Sequence, residues 1–164
     1  MAYARLILIL FLLSACSPQE QAEQAESIPF SPTGDVRYTM EWVLDPAAFH
    51  LWRSAGSIIT AEGTRDLAPT TDDGWLAVQH SAAVVAETGN LLLMPSRARD
   101  QKDWQVFSLG LVEAGLLAKA AAENHDADAL FDAGGQIYRV CSSCHSIYIQ
   151  GKKNPLSNRS TDSN

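Results

Sequence analysis

Cys141, Cys144 and His145 stand together in the run Cys141-Ser142-Ser143-Cys144-His145. On a helix, positions i, i+3 and i+4 share one face. Two thiols and an imidazole so placed can reach a single planar ligand. Cys-x-x-Cys-His is the attachment pattern of c-type haem. The thiols form thioethers with the two vinyl groups of one porphyrin, and His145 lies beneath the ring and offers a nitrogen to the iron. Covalent attachment holds the cofactor even in a small domain with a shallow pocket. Two other chemistries use paired cysteines. A thioredoxin-like redox pair needs a βαβ setting, and the pattern here is helical. A zinc site needs a second Cys/His pair at ligand spacing, and none stands elsewhere. The expectation is one covalent haem c with its iron, attached at Cys141 and Cys144 and ligated by His145.

With His145 on one axial site, the sixth position on the iron decides the function. A protein ligand there gives a low-spin haem suited to outer-sphere electron transfer. An open position lets the iron bind nitric oxide or carbon monoxide. The sequence offers Met40, Met94, His50, His80 and His125. Met94 lies at a helix end beside Pro95 and reads as packing. The three histidines fall off the main apolar stripes or in a turn and read as solvated or capping groups.

The elements that carry these residues are helical in pattern. Thr71-Asp72-Asp73 is a helix start, an N-cap followed by negative charge at the positive end of the dipole. Trp75, Val78, Ala82, Val85, Gly89 and Leu92 then recur at spacings of three and four, until Pro95 stops that helix. Asp100 caps the next, with Trp104, Phe107, Leu111, Ala114, Ala118 and Ala121 on its stripe. After Asn124 and Asp126, the residues Leu130, Gly134, Ile137, Cys141, Cys144 and Tyr148 follow on a fourth. The first segment is less regular: helix from Asp35 to Leu44, a fresh cap and first turn at Asp45-Pro46, and helix to about Ile59. Gly63 to Pro69 reads as a loop. Helices of this spacing joined by short connections predict an all-α fold, an antiparallel up-and-down four-helix bundle. Gly134-Gly135 weakens its helix by about 1 kcal/mol per glycine relative to alanine, which points to close approach of the haem or a neighbouring helix.

The 164 residues are 46% hydrophobic and 19% charged, a globular composition for one domain. The formal net charge of −7 argues against nucleic-acid backbones as partners. Three cysteines make no disulfide scaffold. Arg5, the apolar run Leu6 to Leu13 and Ser14-Ala15 form a secretory leader, too short in its apolar part to span a bilayer. Residues 16–34 are rich in Pro, Gln, Glu and Ser and read as a flexible tether. Residues 35–150 form the folded domain and 151–164 a polar tail.

Two resemblances add to this. Leu13-Ser14-Ala15-Cys16 resembles the bacterial lipobox. That implies cleavage before Cys16, lipidation of Cys16, and a protein anchored on the periplasmic side of a bacterial membrane. The domain is similar to the class II c-type cytochromes, meaning cytochrome c prime and its low-spin relatives. The resemblance rests on Phe131-Asp132-Ala133-Gly134-Gly135-Gln136-Ile137-Tyr138 leading into Cys141, on Cys144-His145 with Tyr148 after it, and on Arg37 with Met40 in the first helix. The chain departs from the family at Ile149, where most members carry a basic residue. The resemblance implies that Met40 supplies the distal iron ligand, a soft thioether that raises the potential of haem iron. The expected function is that of a membrane-tethered electron carrier, not an enzyme, serving redox partner proteins with basic patches. A homodimer is left open, and a five-coordinate protein binding nitric oxide or carbon monoxide is the alternative.

Overall fold

The structure is a computed structural model and describes residues 30–149. The expected leader, Cys16 with the tether as far as residue 29, and the tail at 151–164 lie outside the described residues. What is described is mostly helical, in the order α1 (Val36–Thr39), a π-helical turn (Met40–Leu44), α2 (Asp45–Trp52), β1 (Ser57–Thr60), β2 (Gly63–Asp66), α3 (Asp72–Leu93), α4 (Asp103–Glu123) and α5 (Ala127–Tyr148).

The first helical run is continuous over 36–52, and no fresh cap interrupts it at Asp45-Pro46. Asp35 starts it by accepting the Tyr38 N–H at 2.9 Å. Pro46 has no N–H to give Trp42, and in an α-helix its ring would meet the Trp42 carbonyl. The chain widens instead. The Asp45 N–H donates to the Met40 carbonyl, five residues back. This wide turn lets Thr39 and Leu44, both buried, face the same interior although they are five residues apart.

The expected helix to Ile59 and loop from Gly63 are corrected, and the mostly helical fold carries one small two-stranded sheet. α2 ends at Trp52, and Gly56 takes φ +79°, a left-handed conformation open to glycine. Ile58, Ile59 and Thr60, β-branched and suited to extended backbone, then form an antiparallel hairpin with Gly63, Thr64 and Arg65. Both strands are exposed along their whole length. An inside-outside alternation therefore never appears in the sequence.

The other helices start where their caps predict. Thr71 accepts the Gly74 N–H at 3.1 Å, and Asp126 accepts that of Ala129 at 2.9 Å. Asp100 stands before the first residue of α4 but caps it nonetheless, its Oδ1 accepting the N–H groups of Lys102 at 2.9 Å and Trp104 at 3.0 Å. Between α3 and α4, the buried Arg97 folds its guanidinium back onto the Leu91 carbonyl at 3.5 Å and the Met94 sulfur at 2.9 Å. A cation there faces the negative end of α3.

The helices pack as a bundle in which sequence neighbours run in opposite directions. Trp104 near the start of α4 donates to the Leu92 carbonyl near the end of α3 at 2.7 Å, and Gln79 reaches the Ala122 carbonyl at the other end. Trp104 meets Tyr148, and Trp52 of α2 meets Gly134 and Tyr138 of α5. The stripes expected on α3 and α4 are buried, apart from Phe107, which is half-buried. By length and composition α4 could cross a membrane, yet it lies between α3 and α5 in the bundle.

Where α3 and α4 touch, there is no room for side chains. A Cβ on Gly115 would stand 2.5 Å from the Ala86 backbone nitrogen, and one on Gly89 would stand 2.5 Å from the Ser108 carbonyl. At Gly110 the nearest atom would be a Val140 methyl at 3.5 Å, an ordinary contact. Gly115→Ala is expected to destabilise the fold by about 1–3 kcal/mol through overpacking. Gly110→Ala is expected to stabilise it by about 0.5–1 kcal/mol, because alanine costs the helix less backbone entropy. Thermal unfolding of the two variants should move the midpoint in opposite directions.

Candidate functional site

α5 carries its apolar stripe in two halves. Leu130, Ala133 and Ile137 are buried in the bundle core. Cys141, Cys144 and Tyr148, one helical period further along, are only half-buried. The stripe leaves the core because the first helical run stands away from α5 at this end. Three adjoining cavities lie there.

The largest, about 620 Å³, is bordered by Met40, Arg99, Trp104, Cys144, His145 and Tyr148, among others. A second, about 260 Å³, lies on the side of Leu44, Phe49 and Trp52 and reaches Cys141 and His145. A small gap between them touches both cysteines. Met40 and His145 border all three. The sequence placed Cys141, Cys144 and His145 on one helical face, and the structure opens that face onto a space of the size that holds a cofactor, about 300–1,000 Å³.

Of the groups considered for the sixth ligand, only Met40 borders these cavities. It sits at the start of the π-helical turn and is half-buried. Met94 accepts from Arg97 in the loop after α3. His50 shares a 2.7 Å hydrogen bond with Ser81 and so joins α2 to α3. His80 is exposed. His125, at φ +53°, stacks its ring on Trp75 with centroids 5.1 Å apart.

Both thiols are free. Burial pushes Cys144 up to about 11, with the neighbouring Cys141 and Asp100 adding to the shift. Burial raises Cys141 as well, and Asp45 adds to it. Their place in the last turns of a helix, where the dipole is negative, also opposes a thiolate. A disulfide-exchange cysteine requires the reverse, a lowered pKa. Among the described residues, no three His, Cys, Asp or Glu side chains converge as metal ligands.

Of the glycine pair, only Gly134 is closely approached by a neighbouring helix. A Cβ on Gly134 would stand 3.3 Å from Trp52 Cδ1, and the Trp52 indole donates to the Gly134 carbonyl at 3.0 Å. Gly135 would meet only the Arg139 guanidinium, at 3.5 Å.

Three further residues border the site, and the sequence reading gave none of them a place there. Trp52 and Tyr138, edge to face at 6.4 Å, wall the smaller cavity. Arg99 borders the larger one. It forms no ion pair among the described residues, whereas Arg37 on the same cavity is tied to Glu41 at 2.6 Å. No motif announces Arg99, and only the path of the loop after α3 brings it there.

No protein-family model matches the chain, and neither a curated protein nor a solved structure matches it.

A thiol with a pKa of about 11 is ionised to only about one part in 10⁴ at pH 7. Alkylation of Cys144 in protein free of any attached group should therefore rise about tenfold per pH unit from pH 7 to pH 10. Mass spectrometry of iodoacetamide-treated protein measures it. A rate that levels off near pH 8 would contradict the raised pKa of this half-buried thiol.

Proposed function

We propose that this protein is a class II c-type cytochrome, an antiparallel four-helix bundle with one covalent haem. On this reading it is a membrane-tethered electron carrier and not an enzyme. The observation that carries the reading is the set of three adjoining cavities that Met40 and His145 both border, the larger reaching Cys144, the smaller Cys141 and the gap both.

The residues fit the group chemically. Cys141 and Cys144 would hold it by thioethers. Each S–H adds across a vinyl double bond, sulfur to one carbon and hydrogen to the other, so no oxidant is required. Protonated, free thiols are the form that addition consumes. His145 would supply one protein ligand to the iron. Met40 would supply the other, a thioether being soft, uncharged and free of any proton to lose. Arg99, without an ion-pair partner among the described residues, suits the carboxylates of the cofactor. A haem bound there supplies a one-electron iron couple. Leu44, Leu92, Trp104 and Leu111 line the gap next to the cysteines with apolar surface.

The acidic balance of the chain favours donor and acceptor proteins with basic patches and predicts docking that weakens with salt. Cys16, if lipidated, would hold the domain at the periplasmic face of the membrane through a flexible tether.

In the mature protein, a denaturing gel stained for haem peroxidase activity after acid-acetone extraction should show a coloured band. A colourless band from fully matured protein rejects the covalent haem. In the coloured protein, Met40→Ala should move the ferric spectrum toward high spin and lower the reduction potential, within the ~0.8 V range that axial ligation sets. Ferrous Met40→Ala should take up carbon monoxide readily, and wild type slowly or not at all. A wild type that is already high-spin and binds carbon monoxide at once would favour the five-coordinate, gas-binding alternative.

Metabolic labelling with a fatty acid should mark wild type and not Cys16→Ala. Equal labelling of the two rejects lipidation at that residue.

A further inference from the structure

The last turn of a helix ordinarily frays. In this chain that turn carries Cys144 and His145, with Tyr148 as the final residue of α5 and Ile149 as its cap. What holds the turn is a contact from a distant part of the chain. The Tyr148 hydroxyl donates to Oδ2 of Asp100. The other oxygen of the same carboxylate accepts the backbone N–H groups of Lys102 at 2.9 Å and Trp104 at 3.0 Å. The Trp104 indole is itself fixed, donating to the Leu92 carbonyl at 2.7 Å, and its ring meets Tyr148 edge-on at 4.9 Å. Arg97 ties the beginning of the same loop to the end of α3. One carboxylate therefore joins the start of α4, the loop after α3 and the end of α5. Its neighbour Arg99 borders the same cavity as His145.

The charges agree with this arrangement. Asp100 is held below the usual carboxylate range, first by the Tyr148 hydroxyl and then by the Trp104 and Lys102 N–H groups. Tyr148 is pushed up to about 12 by desolvation and by Asp100. Through the ordinary pH range the pair thus stays a neutral phenol donating to a carboxylate, a charge-assisted bond stronger than a neutral one.

We propose that Asp100 and Tyr148 are positioning residues for the iron site. Their bond fixes the terminal turn of α5, and with it the direction from which His145 meets the iron. The proposal rests on the haem reading above. Neither residue touches the iron, and both act through the backbone of residues 144–148.

The test uses the mature protein with its haem and three variants: Tyr148→Phe, Asp100→Asn and the double. Tyr148→Phe keeps the ring and the Asp100 cap and removes only the donated bond. Asn caps a helix about as well as Asp, so Asp100→Asn removes the charge and leaves α4 started. Two quantities are read, hydrogen exchange of the 145–149 amides and the reduction potential with the ferric spin state. Either single variant should speed exchange in that stretch several-fold and shift the potential or the spin balance. The double should be no worse than the more affected single, since both act on one bond. Asp126→Ala, which removes the cap at the far end of α5, should lower the melting temperature and leave the potential alone.

Unchanged exchange in Tyr148→Phe overturns the clamp. Faster exchange with an unchanged potential and spectrum also overturns the proposal, because the bond is then structural only. Additive effects in the double variant overturn the pairing of the two residues. A wild type without haem stain is a failure of a different kind: it rejects the haem reading itself, and the exchange data would still report whether the bond holds the turn.

Discussion

α3 and α4 approach until backbone meets backbone, and the rest of the bundle is arranged around that contact. Gly89 lies on the Ser108 carbonyl and Gly115 on the Ala86 nitrogen, with Ala82, Ala114 and Ala118 buried along the same interface. Side chains of almost no volume let two long helices form one thin, closely packed slab. α2 and α5 do not pack that way. Aromatic side chains, Trp52 against Gly134 and Tyr138, join them at one end and hold the helices apart by the thickness of an indole. At the other end Met40 and the cysteines border open space. A bundle with four equally tight interfaces would have no room for a cofactor. The small residues of α3 and α4 supply stability on one side so that the other side can remain open.

The proline of the first helix has a second consequence at the open end. Pro46 removes one backbone donor and widens the preceding turn, which opens with Met40, a residue that borders all three cavities together with His145. A regular helix through 36–52 would rotate everything before Asp45 by roughly one residue, about 100°. The side chains of this stretch that border the cavities would then change. The local disturbance in the helix and the identity of the proposed iron ligand are in this sense the same fact. Such wide turns are often found where a helix must place a single functional group.

Much of this was legible in the sequence, for reasons that also explain what was not. Stripes such as Trp75, Val78, Ala82 and Val85 repeat at the period of the helix that buries them, and local caps such as Thr71 and Asp126 sit beside the groups they satisfy. Cys141, Cys144 and His145 share a face by helical geometry alone. The hairpin was hidden because it buries neither face, leaving Ile58 and Ile59 without the alternation that marks a strand. Asp100 was legible as a cap, because that bond is local. Its other bond, to Tyr148, spans nearly a third of the chain and has no sequence signature. The approach of Trp52 to Gly134 is of the same kind. Periodicity and capping report neighbours within a turn or two, whereas a site assembled from α1, the loop after α3 and the end of α5 is defined by contacts between elements.

The state in which α5 leaves the core bears on how the proposed cofactor and the fold depend on each other. Ile137 is fully buried, and the next positions on the same stripe, Cys141 and Cys144, are covered only in part. A bundle evolved for packing alone would place large aliphatic groups there, or polar ones. Two small thiols do neither: they leave apolar surface uncovered and fill little of the cavity beside them. Each buried methylene contributes about 0.8 kcal/mol to a fold, so this end of the bundle is the less stable one when nothing fills it. A ligand that binds the folded chain and not the unfolded one adds its binding free energy to folding. On the proposed reading the attached haem completes the core between Met40 and α5, and thioether bonds make that completion permanent. The Asp100–Tyr148 bond then has a defined part, since it keeps the last turn of α5 ordered at the end of the bundle where packing alone is weakest.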